Sequence, residues 1–86
     1  MIRLTRSSAV TALRDVASRI EPFVGRVGMV GSSLVVDKRP VCFINASDSI
    51  VVHAVDDMPA ATFTRAGSEA VIASLILTRF VARKAA

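Results

Sequence analysis

The chain contains no tryptophan and no tyrosine, and it has one cysteine, one histidine, three prolines and four glycines among 86 residues. A lone Cys42 forms no internal disulfide, which excludes a small secreted scaffold stapled by such bonds. With His53 as its single imidazole, the chain cannot build a zinc site from repeated Cys and His ligands. Four phenylalanines are few stacking platforms for single-stranded bases. Glu69 and Arg79 bracket the longest apolar stretch, which falls short of the roughly 18 residues that cross a bilayer, so no membrane span is expected. What the chain does have is apolar mass. At 52% hydrophobic residues it is too apolar for disorder, and its length suits one small core and a single domain over 1–86.

Eleven basic and seven acidic side chains leave a formal charge of +4. The basic residues are scattered: Arg3, Arg6, Arg14 and Arg19 near the start, the pair Lys38 and Arg39, then Arg79, Arg83 and Lys84. No run reaches the five or so like charges of a basic tail, so a solvated surface is the leading reading. The acid-free opening with its arginines superficially resembles a transit segment, but it reads better as a short strand or arm leading into a helix. Asn45-Ala46-Ser47 matches a glycosylation sequon and is expected to be a turn instead. A reducing, cytoplasmic setting fits the single thiol.

Val10, Leu13, Val16, Ala17, Ile20 and Val24 recur at helical spacing, with Arg14, Asp15, Ser18 and Arg19 on the other side. This predicts an amphipathic helix capped by Ser7 or Ser8 and stopped near Glu21 by Pro22, with Phe23 and Val24 packed beneath its exit. Gly25, Gly28 and Gly31 punctuate an irregular strand with close backbone approaches. Strands are expected at 34–36, 41–44 and 50–55, separated by polar turns, with a short fourth at 61–64. Ser68 is placed to cap a second helix over 68–83 whose apolar residues surround most of its circumference, so burial is expected. The fold class is α+β: an amphipathic helix, an antiparallel meander of three to four strands, and a buried C-terminal helix.

Pairing Ile44 with Ile50 and Val36 with Val41 sorts the strand residues by face. Leu34, Val36, Val41, Phe43, Val51, His53 and Val55 share one surface, and Val35, Cys42, Ile44, Ile50, Val52 and Ala54 share the other. Both are apolar, whereas an antiparallel meander usually turns one face to water. Two short helices roof only one face well. The other, carrying Phe43, Val51, His53 and Val55, is therefore expected to be covered by a second copy or by a protein partner, with a symmetric dimer favoured over a twisted sheet that takes one helix on each face.

No motif carries catalytic chemistry. Cys42 and His53 point to opposite faces, and Ser33, His53 and Asp56 align only with a fortunate bend. The adjacent Asp56 and Asp57 supply too few oxygens for a cation, and no cofactor is expected. Gly25-Arg26-Val27-Gly28 matches the GxxG clamp of KH domains, but β-forming residues follow where a helix is required.

Residues 10–57 resemble the N-terminal domain of the TfoX competence-regulator family. Met29, Gly31, Leu34 and Asp37 fall near that family's Met-Phe-Gly-Gly loop and the strand ending in Asp-Gly, Arg39 takes the place of a common basic residue, and the strands around Val41 and Ile50 follow in order. The resemblance implies a small regulatory or interaction domain without a cofactor. The expected function is thus a non-enzymatic module that self-associates through its sheet. Two alternatives stand beside it: a nucleic-acid-binding protein in which dimerisation unites Arg14, Arg19, Lys38 and Arg39, and a phage or shell component.

Overall fold

The computed structural model describes residues 2–81. Helix α1 runs over Arg6–Ile20, strands β1 to β5 over Val27–Val30, Ser33–Val36, Arg39–Ile44, Ile50–Val52 and Ala61–Phe63, and helix α2 over Glu69–Ile76. All five strands pair antiparallel in sequence order, which makes the α+β class and the meander plain; the segment expected as an irregular strand around Gly28 is β1, and it joins the meander in regular register with β2. No helix among the described residues is long and apolar enough to cross a membrane.

Helix α1 begins two or three residues earlier than a cap at Ser7 or Ser8 would allow. Thr5 is the cap: its hydroxyl accepts from the Ser8 amide at 3.2 Å, and the Ser8 hydroxyl accepts from the Thr5 amide at 2.8 Å. Two amide donors are thereby satisfied reciprocally. Ala9, Ala12, Leu13, Val16 and Ile20 form the buried stripe. A single 3-10 turn over Glu21–Phe23 leads out; Val24 packs on the core, but Phe23 stays 63% exposed rather than tucking beneath the exit.

Helix α2 packs against α1, and both lie on the same side of the sheet, α1 over β3 and α2 over β4. Their buried residues merge with Leu34, Val36, Cys42, Ile44, Ile50 and Val52 into one cluster. Each fully buried Leu or Ile contributes about 1.5–3 kcal/mol by leaving water, so this cluster dominates the stability. Burial of α2 is one-sided: Ile72, Ala73 and Ile76 are inside, while Val71 is 59% exposed. Ser68 precedes the helix without capping it, its hydroxyl donating instead to the Arg65 carbonyl at 3.1 Å. Past Ile76 the backbone widens into a π turn over Leu77–Val81, which buries Arg79 and Phe80 together. Arg83 and Lys84, expected at the helix end, lie outside the described residues.

The β2–β3 register departs from expectation. Asp37 and Lys38, both at positive φ, make a two-residue hairpin that pairs Val36 with Arg39 and Val35 with Pro40. The ladder then shifts by one, so that Leu34 pairs with Cys42 and Val41 is the extra residue of a bulge. Val41 and Cys42 are accordingly buried in succession, where a regular strand would alternate. The same shift turns Leu34 and Val36 into the core and Val35 outward, the reverse of the simple pairing.

Thr5→Ala removes one half of the α1 cap and is expected to cost about 1 kcal/mol in urea unfolding, whereas Ser7→Ala, outside that pair, leaves the midpoint in place.

Candidate functional site: the open face of the sheet

Strand alternation decides what the uncovered face carries. In β3 and β4 the core takes Cys42, Ile44, Ile50 and Val52, which leaves Phe43 and its cross-strand partner Val51 on the opposite side. His53 continues that side: its amide donates to the Val41 carbonyl at 3.0 Å, and its ring lies 5.1 Å from the Phe43 ring at a 44° tilt. Val30, Ser33 and Val35 extend the surface across β1 and β2, and Thr62 borders it on β5. No carboxylate lies among these residues. Phe43, Val51 and His53 are half-buried by one another and by strand neighbours, with no helix above them.

Val55 is a correction. It is only 7% exposed, because the chain turns back after His53 in a tight loop where Val55 and Met58 exchange amide bonds of 3.0 and 2.8 Å. Asp56 sits at positive φ inside that loop, and Val55 and Met58 join the core instead of the open face.

The four basic residues that dimerisation was expected to unite lie on different parts of the single chain. Arg14 and Arg19 project from the solvent side of α1, and Arg19 pairs with Asp15 at 3.3 Å. Arg39 holds its guanidinium over the Phe80 ring, 4.8 Å from the centroid. Lys38 alone reaches the open face, where it shares a depression with Arg26, which the sequence singled out only within the GxxG match. Together with Val30, Val35 and Pro40 they line this depression of about 570 Å³.

That corner is built with care. The Asp37 carboxylate accepts from the Arg26 amide at 2.8 Å, and the Asp37 amide donates to the Arg26 carbonyl at 2.8 Å, which pins the entry of β1 to the hairpin. A side chain at Gly25 would collide with that carboxylate, so glycine is needed there. Lys38 has φ 70, a left-handed conformation that ordinarily selects glycine. A lysine kept at such a position retains strain of about 1–2 kcal/mol.

Acid–base or thiol chemistry finds no assembled site among the described residues. Cys42 is enclosed in the core, and burial pushes its thiol from the ordinary 9.0 up to about 12. It lies across the sheet from His53. No group of three or more metal-ligating side chains occurs among the described residues. Arg79 is buried with its Nη1 donating to the His53 carbonyl at 3.0 Å, while its Nε finds no partner among the described residues. Its role is to hold the end of β4 against the π turn. A second depression of about 410 Å³ runs between the end of α1 and α2, past Arg19, Phe23, Ala73 and Leu77.

Comparison with known protein families, with curated proteins and with solved structures finds no match.

Two outcomes follow from this chemistry. Replacing Lys38 by glycine relieves the left-handed strain and is expected to raise stability by about 0.5–1 kcal/mol in urea unfolding. Because Cys42 keeps its proton in the folded chain while the unfolded thiol ionises from about pH 9, stability falls as pH rises between 9 and 12. The contribution approaches about 1.4 kcal/mol per pH unit. Cys42→Ala lowers stability at neutral pH and loses that part of the alkaline slope, as pH-dependent unfolding measures.

Proposed function

We propose that this chain is a non-enzymatic interaction module that self-associates by burying the open face of its sheet. The observation that carries this reading is the placement of both helices on one side. Phe43, Val51, His53, Val30 and Val35 are left on the other side with no carboxylate among them. Apolar area removed from water gains roughly 25 cal/mol per Å², so a second copy seated on this face is stabilised by the apolar area it covers. A regulatory role of the kind suggested by the TfoX-like segment 10–57 fits such a module.

A second reading has its own support. Lys38, retained in a strained conformation next to Arg26, places positive charge beside a surface that also presents the Phe43 and His53 rings. Single-stranded nucleic acid uses that combination of phosphate contacts and stacking. Salt separates the two readings. Apolar self-association holds as salt rises, whereas oligonucleotide binding weakens steeply through counterion release.

Light scattering coupled to size exclusion, at micromolar chain concentration, is expected to give a mass above the 9.1 kDa of one chain. Phe43→Asp is expected to lower that mass while keeping the far-UV spectrum, because its side chain points away from the core and a carboxylate buried at the contact has no partner. A wild-type mass of one chain, or a mass that Phe43→Asp leaves unchanged, overturns the reading.

A further inference from the structure

The two edges of the sheet are treated differently. Beyond β5 the N-terminal arm lies alongside: the Leu4 amide donates to the Thr64 carbonyl at 2.9 Å, the Ala66 amide donates to the Ile2 carbonyl at 2.8 Å, and Arg3 bridges to Arg65. At the other edge β1 pairs with β2 alone. Among the described residues no other backbone bond is made by Val27–Val30. Exposed edge strands are ordinarily guarded by charge, proline, a bulge or a covering segment. Val27-Gly28-Met29-Val30 has none of the first two, its register with β2 is regular, and nothing among the described residues covers it.

We infer that β1 is the site where a second copy of this chain adds, antiparallel and about a two-fold axis at Met29, to continue the sheet across two subunits. This contact shares Val30 with the face-to-face contact proposed above but does not depend on it.

Backbone polarity supports the pairing. The hairpin is closed at Val30 and Ser33 around Gly31, which has φ 61, so the alternation of an antiparallel ladder turns the amide and carbonyl of Met29 away from β2. Opposite a symmetry-related Met29 they exchange both bonds.

Shape supports it too. In that register Val30 of one copy lies opposite Gly28 of the other, and the two-fold repeats the contact. Val30 is 68% exposed, and a Cβ built on Gly28 meets nothing within 4 Å. A protruding side chain and a hollow on the same side of one strand, two residues apart, are self-complementary under a two-fold axis.

The self-complementary Val30 and Gly28 select a second copy as the occupant, and charge does not oppose it. Strand β1 is uncharged, and a Met29-centred register separates the two Arg26 residues by about 20 Å, more than twice the ~8 Å screening length. The same register sets each Arg26 opposite Ser32 of the other copy, where the Arg6 guanidinium donates to the Ser32 hydroxyl at 3.5 Å and is paired with Asp48 at 3.1 Å.

The test uses Phe43→Asp as background, so that the face contact is already removed. Light scattering of that variant is expected to show two chains, and adding Gly28→Lys, which has open space within the single chain, is expected to give one chain with an unchanged far-UV spectrum. Hydrogen exchange at the Met29 amide is expected to slow with rising concentration in the first variant and not in the second. A Phe43→Asp variant that is already monomeric overturns the edge contact while leaving the face reading intact. If Phe43→Asp keeps the wild-type mass of two chains, the face reading fails and Gly28→Lys decides. Dissociation to one chain supports the edge contact, and a persistent dimer overturns it. A double variant that unfolds contradicts the open space above Gly28, and Val30→Lys in the same background then repeats the test from the protruding side.

Discussion

Both helices lie against one side of a five-stranded sheet, and the rest of the molecule's behaviour depends on that asymmetry. Helix α1 and helix α2 each bury a single stripe and also pack on each other, so together they cover β3 and β4 from above and reach nothing below. An antiparallel sheet tolerates such one-sided cover when its outer residues are polar. Here the outer residues of the three central strands are Ser33, Val35, Pro40, Phe43 and Val51. One serine among five leaves a surface that gains by leaving water.

The bulge at Val41 is what makes the core side complete. Without the extra residue, the register of β2 would send Leu34 and Val36 outward and bring Val35 in, exchanging two buried side chains for one. Bulges kink the strand and increase its local twist. The hairpin that precedes this one uses Asp37 and Lys38 at positive φ, and Asp37 ties it to the start of β1. The strained turn, the bulge and the entry to the first strand are thus one mechanical unit, and it places Lys38 beside Arg26 at the corner of the open face.

Much of this was legible in the residues. The 41–44 strand, the strand beginning at Ile50, the Ile44–Ile50 pairing and the outward positions of Phe43 and Val51 follow from period-two alternation around a polar turn, where the Asn45 side chain accepts from the amides of Ser47 and Ser49; the expected run to Val55 ends instead at Val52. The face of β2 was not legible, because Lys38 gives no sign of a left-handed turn and a bulge inserts its extra residue without any marker of composition. Glycines at every third position obscured β1, although only Gly25 answers to a close approach. Val55 shares strand parity with His53, and its return to the core comes from a turn through Asp56, a residue type that tolerates but does not demand positive φ. The arginine buried within the π turn had no signal in its spacing, since Arg79 looks like any cation near a helix end.

The claim on which these conclusions rest is that the side of the sheet away from the helices is buried by association. The most direct measurement is an amide and methyl NMR dilution series from millimolar to low micromolar chain concentration. Signals of Val35, Phe43, Val51 and His53 are expected to move or broaden together as the chains separate, while those of Ala9, Leu13 and Ile72 beneath the helices hold still. A spectrum that does not change across that range, with the open-face methyl groups freely reached by a soluble paramagnetic probe at every concentration, would show a stable lone subunit and contradict the claim.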